Sequence, residues 1–149
     1  MAIWKEPVTL EALNAYGGTD HMLPTLGIRF TEVGDDYLVA TMPVDARTKQ
    51  PAGILHGGAS CVLAESLGSV ASSLVAGRDK DALGIEINAN HLASVPSGVV
   101  TGRVTPTRLG QSLHVWDIRL TDERGRLTCV SRLTVMIRER RAGSPVPRA

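Results

Sequence analysis

The chain lacks most of the patterns that announce a chemistry. It holds no GxSxG nucleophile elbow, no Walker A loop, no GxGxxG dinucleotide turn, and no HExxH or CxxC zinc spacing. Elbow-type serine hydrolases, P-loop NTPases, dinucleotide enzymes and motif-bearing zinc proteins are therefore set aside, and no metal or cofactor is expected. Cysteine is scarce: Cys61 and Cys129 stand far apart, and two thiols make no disulfide framework. A reducing cytoplasm is the simplest compartment. No apolar run follows Lys5, only Pro7 and an amphipathic stretch, so a secretory signal is not expected. Charge of one sign is missing too: the formal net charge is +1, which gives no global field toward nucleic acid or a membrane, and neither partner is expected.

What is present suits one globular domain. The chain has 149 residues, 43% of them hydrophobic, enough for one core and too few for two. Thr9 can cap a short helix with Glu11 in its first turn and Leu10 and Leu13 on its apolar side, ending near Gly17-Gly18. Leu26 to Val33 and Tyr37 to Pro43 read as a hairpin around "VGDD". A loop, "DARTKQPAGIL", leads into a long small-residue helix. Beyond the charged turn "GRDKDA" come strands at Leu83–Leu92, Val99–Pro106, Ser112–Thr121 and Leu127–Arg138. Strands that follow one another without alternating helices predict an α+β fold, one antiparallel sheet wrapped around one helix. The domain is expected over residues 1–138, with a flexible tail over 139–149.

The central stretch "KQPAGILHGGASCVLAESLGSVASSLVAG" carries the chemical question. Between His56 and Arg78 its single charge is Glu65. Residues 57 to 77 have the length of a membrane span, yet four glycines, five serines and Glu65 make poor hydrocarbon-facing surface, so a helix buried by protein is expected. Helical spacing places Cys61, Glu65, Gly68, Ser69 and Ser72 on one small stripe, which is expected to face a groove or a second subunit. A helical glutamate ordinarily points to water or pairs with an arginine; a lone carboxylate among small neighbours also leaves room for a ligand. His56-Gly57-Gly58 stands where the helix starts, and free N–H groups at the positive end of the dipole suit a developing oxyanion. A Cys61–His56 nucleophilic pair is a weaker alternative because no orienting third residue is evident. His91 and His114 read as ordinary strand histidines.

"HGGASCVLAE" resembles the helix-start motif of hotdog-fold acyl-CoA thioesterases, and the resemblance runs on through "ATMPVDARTKQPAGILHGGAS", "LGIEINANH" and "DERGRLTCVSRLT". It implies a hotdog fold that hydrolyses an aromatic or medium-chain acyl-CoA, or a carrier-protein thioester, to free acid and thiol. Glu65 would be the catalytic carboxylate, as nucleophile or as general base, and the Gly57 amide would polarise the carbonyl. Gln50 and His56 would orient the thioester, and Ser69 would help place water. Coenzyme A, part of the substrate, would contact Gly84, the run His91, Leu92, Ala93 and Ser94, and the turn Arg108, Leu109, Gly110, Gln111, Ser112 and Leu113. The family implies a dimer of dimers, with the His91 and Arg108 segments of one chain against the catalytic helix of the other. One departure is the absence of a basic residue just after the histidine of "NANH"; Arg108 or the C-terminal Arg138, Arg140 and Arg141 could supply that phosphate contact. A hotdog hydratase or dehydratase and a non-catalytic acyl-CoA binder are the rival readings.

Overall fold

The structure is a computed structural model and describes residues 1–144. Its elements are α1 (Leu10–Ala15), α2 (Met22–Thr25), β1 (Arg29–Val33), β2 (Leu38–Pro43), α3 (Gly57–Ala76), β3 (Lys80–His91), β4 (Val99–Leu109), β5 (Leu113–Thr121) and β6 (Leu127–Glu139). Period-two alternation builds the sheet: His114, Trp116, Ile118 and Leu120 of β5 and Cys129, Ser131, Leu133, Val135 and Ile137 of β6 all turn to the buried face. The six strands pair antiparallel in the order β1-β2-β4-β5-β6-β3, with α3 packed on the inward face. This is the expected α+β hotdog architecture.

α3 owes its seat to small residues. A side chain on Gly68 would put its Cβ 2.5 Å from Leu133 Cδ2, and one on Gly102 of β4 would stand 2.7 Å from Leu67 Cδ1. Glycine at these two points lets helix and sheet approach until Leu63, Leu67, Trp116 and Leu133 lose all exposure, each burial contributing about 1.5–3 kcal/mol. α3 is long and apolar enough to cross a membrane by length and composition, and half of its apolar window is buried inside the protein.

The stripe expected to face outward is split. Glu65 is exposed and Cys61 and Ser69 are half-buried, but Gly68 and Ser72 face the sheet. Ser72 has no exposure; its Oγ accepts the Trp116 indole N–H at 2.7 Å and lies 3.2 Å from His114 Nδ1. Indole is only a donor, so an acceptor Nδ1 on His114 lets the Ser72 proton find a partner and satisfies all three groups. His114 is thus the hydrogen-bonded strand histidine the sequence predicts. Burial pushes its imidazole below the ordinary value, and a hydrogen bond with the Gly110 backbone opposes that.

Several boundaries moved. The first strand begins at Arg29, not Leu26, because Met22–Thr25 makes a helical turn closed by Gly27 at φ +71°. β3 begins at Lys80 inside the expected charged turn, because Asp81 is fully buried under Arg138 and Arg140. β4 continues past Pro106 through a register shift between Pro106 and Arg108, which accommodates the missing N–H. The tail expected to be flexible opens differently: Glu139 ends β6, the Arg140 N–H donates to the Asp79 carbonyl, and the Ser144 hydroxyl donates to Asp81 at 2.8 Å. Residues 145–149 lie outside the described residues.

Ser72→Ala leaves the Trp116 N–H without its acceptor in a closed core. We expect a loss of about 1–3 kcal/mol, read by thermal unfolding as roughly 2–4 °C per kcal/mol for a chain of this length.

Candidate active site

A tight excursion before α3 holds the first group of residues. Lys49 bridges Leu55 across it, the Gln50 N–H donates to the Ile54 carbonyl at 2.9 Å, and the Gln50 side chain reaches the Leu55 carbonyl at 3.4 Å. The His56 N–H then donates to the Thr48 carbonyl at 2.8 Å. His56 is the N-cap of α3: its Nδ1 accepts the Gly58 N–H at 2.8 Å, which places the neutral ring's proton on Nε2. The Gly57 N–H has no acceptor among the described residues and stands at the positive end of a 20-residue helix.

His91 explains why position 57 is glycine. A Cβ there would lie 2.6 Å from His91 Nε2. The imidazole thus closes against the helix start of its own chain. Gln50, Gly57, His91, Leu92, Ala93 and Ser94 line one cavity of about 260 Å³, with Ser60 and Thr128 as walls the sequence reading missed.

Glu65 and Ser69 belong to a different cavity, of about 330 Å³, between the outer face of α3 and the α1–α2 segment. Tyr16, Gly17, His21, Leu23, Ser66 and Val70 complete it, none of them anticipated as site residues. The one available signal was the short opening helix, whose purpose the sequence reading left open. Leu13 is buried as expected, while Leu10 stays 39% exposed. The Glu65 carboxylate is exposed and makes no hydrogen bond or salt bridge among the described residues, so pairing with an arginine does not account for it. Gly84 lies under it: a Cβ at that position would be 3.0 Å from Glu65 Oε1.

The third group stays apart. Arg108 to Leu113 form the β4–β5 turn, closed by the Gly110 N–H donating to the Leu113 carbonyl at 2.9 Å, and line neither cavity. Arg138 and Arg140 are engaged by the buried Asp81, so the phosphate role considered for them has no support; Arg108 and Arg141 remain exposed. Among the described residues no cluster of three His, Cys, Asp or Glu side chains is placed to hold a metal ion.

The α3 helix inside this sheet defines a hotdog domain, and comparison with known proteins makes it a thioesterase. The sequence model of the thioesterase superfamily matches residues 52–129, and the chain belongs to that family. It is a thioester hydrolase by that membership. The chain is 56% identical over 135 residues to the 1,4-dihydroxy-2-naphthoyl-CoA hydrolase of Escherichia coli, covering 91% of this chain and 98% of that protein. Among solved structures, a thioesterase of Pseudomonas aeruginosa with a glutamine-to-alanine change superposes with a TM-score of 0.89 at 45% identity, over 98% of this chain and 99% of that one. A Staphylococcus aureus thioesterase was solved with a glutamate-to-alanine change (TM-score 0.78, 38% identity, 80% of this chain and 100% of that one). It was also solved with a glutamine-to-alanine change (TM-score 0.75, 38% identity, 78% and 97%), and the two altered positions lie fifteen residues apart.

Neither thiol has the environment of a nucleophile. Burial and then the Glu65 charge push Cys61 up, and burial and then Cys61 push Cys129 up to about 11. Both stay protonated near neutrality. Cys61→Ala should therefore hydrolyse acyl-CoA within about threefold of the parent, far from the losses of ~10² or more that follow removal of a catalytic group; complete loss in a folded variant would revive the Cys61–His56 pair.

Proposed function

We propose that this chain hydrolyses aromatic or medium-chain acyl-CoA thioesters to the free acid and coenzyme A, with Glu65 as the catalytic carboxylate. The observation that carries the reading is an unpaired carboxylate opening into a cavity whose exposed surface is mostly apolar, on the same helix as an unengaged amide at its start. The spacing of Gln50 and Glu65, fifteen residues, is that of the glutamine and glutamate altered in the S. aureus thioesterase. The E. coli relative's name supports an aromatic acyl-CoA.

Two routes fit. Glu65 attacks the thioester carbonyl, the oxyanion forms against the Gly57 N–H, coenzyme A leaves as thiolate, and water opens the resulting anhydride. Alternatively Glu65 takes a proton from a water placed by Ser69, the hydroxide adds, and collapse expels the thiolate, which receives that proton. Gln50 and His56 orient the thioester in either case. Both routes require no metal or redox cofactor. Gly84, the His91–Ser94 run and the Arg108–Leu113 turn are assigned to coenzyme A, the turn through its exposed backbone and the Arg108 guanidinium. Carrier-protein thioesters fit the same site.

We further infer that each site is shared by two chains. From Gly57 to Glu65 is eight residues of helix, about 12 Å along its axis, and the two halves open into separate cavities. An antiparallel second copy brings the Gln50–Gly57 half of one chain against the Glu65–Ser69 half of the other. β3 ends the sheet with an unpaired edge and shows Ile85 55% exposed, which suits pairing with its symmetry mate. Two such pairs make the proposed dimer of dimers. One domain, residues 1–138, carries the activity, and the two unbridged thiols accord with a cytoplasmic setting.

Glu65→Ala and Glu65→Gln should each lose at least ~10²-fold in kcat while staying folded. Parent-level release of thiol from benzoyl-CoA by either variant would refute the assignment, and hydration of crotonyl-CoA without thiol release would favour a hydratase.

Mixing Glu65→Gln subunits with Gln50→Ala subunits tests the shared site. Hybrid pairs contain one site with both halves intact and should regain activity absent from each parent. Verified hybrids that stay inactive would assign the whole site to one chain.

A further inference from the structure

The outer face of α3 continues past the catalytic carboxylate. Glu65, Ser69 and Ser73 follow at helical spacing. The Glu65 cavity takes in Ser69, and a second cavity, of about 120 Å³, takes in Ser73 together with Val8, Leu13 and Leu74. The N-terminal arm runs beside that second cavity, tied by the Lys5 N–H to the Leu74 carbonyl at 3.0 Å. Tyr16 is the one residue that lines both.

Tyr16 is firmly held. It is the C-cap of α1, which is docked on β1 by Asn14: the Asn14 Oδ1 accepts the Phe30 N–H at 2.9 Å, and its Nδ2 donates to the Phe30 carbonyl at 3.0 Å. The ring is half-buried, and burial pushes its phenol up, which keeps it uncharged. A bulky ring thus stands between the Glu65 cavity and a second, mostly apolar space on its far side.

We propose that Tyr16 is the stop that sets the length of the acyl group: compact aromatic or shorter chains end against its ring, and a longer linear chain can enter the Val8–Leu13–Leu74 cavity only if the ring is removed. The proposal rests on the reading of Glu65 as the catalytic carboxylate, because the cavity that opens at Glu65 is then where the acyl group lies.

The test is kcat/KM by thiol release for straight-chain esters from butyryl- to palmitoyl-CoA and for benzoyl-CoA, on the parent, Tyr16→Phe, Tyr16→Ala and Tyr16→Val. Tyr16→Ala should raise the preference for palmitoyl- over benzoyl-CoA by at least about tenfold, the scale on which pocket contacts discriminate substrates. Tyr16→Val should move it the same way, and Tyr16→Phe, which keeps the ring, should hold the parent profile. Refilling the far cavity in Tyr16→Ala/Leu74→Trp should return the preference toward short chains. An unchanged length profile in folded Tyr16→Ala or Tyr16→Val, or a shift that Leu74→Trp does not reverse, overturns the stop. Glu65→Gln assayed alongside separates the two readings: its inactivity with an unchanged Tyr16 profile rejects only the stop, whereas its retained activity rejects the catalytic assignment beneath it.

Discussion

How close one helix can come to one curved sheet decides nearly everything else in this molecule. At Gly68 and Gly102 even a methyl group would press on Leu133 and Leu67. The resulting contact leaves no room for water around Ser72, Trp116 and His114, so their polar atoms must satisfy one another, and they do so through the Ser72 hydroxyl. Because that relay fixes the rotation of α3 about its own axis, it also fixes which residues point away from the sheet. Glu65 is exposed because Gly68 and Ser72 are buried.

The same rotation divides the site. The helix start emerges beside the end of β3, where His91 takes the space a side chain at position 57 would need, and the helix middle emerges beneath α1 and α2. The Gly57 amide and the Glu65 carboxylate cannot meet within one chain, since two turns of rigid helix separate them. On the proposed reading, rigidity is therefore what makes a second copy necessary: a flexible loop could fold back on itself, whereas a packed helix holds both groups and can deliver neither to the other.

The fold was largely legible in the sequence because period-two alternation in the C-terminal half and a long uncharged run before it admit few arrangements. The helix start at Gly57 was legible too, whereas the cap by His56 Nδ1 was not, since histidine is not among the residues that ordinarily announce a helix start. The division of the small stripe was not. Helical spacing places Cys61, Glu65, Gly68, Ser69 and Ser72 within one broad arc, and serine or glycine in that arc serves equally as open surface or as close contact. Only the partners decide, and Trp116 lies 44 positions away from Ser72. Asp81 misled for a related reason: an aspartate that closes the charged run Arg78-Asp79-Lys80 reads as part of a solvated turn until Arg138 and Arg140, far along the chain, cover it. Tyr16 escaped notice because a lone aromatic at the end of a six-residue helix carries no periodic signal.

An exposed carboxylate is a weak catalyst by itself. A positive charge and a developing oxyanion about 4 Å apart attract by only about 1 kcal/mol in water but by about 4 kcal/mol at the effective dielectric of a partly covered site. The Gly57 amide as it stands in one chain is at the water end of that range, because its neighbours in the 260 Å³ cavity leave it open, and Glu65 is likewise open to water. Covering both with protein raises the worth of the dipole at the helix start and of every hydrogen bond to the thioester, without altering any residue. The cover need not be large if it is rigid, and an identical helix, lying antiparallel with its own small residues outward, brings the missing half of the chemistry with it.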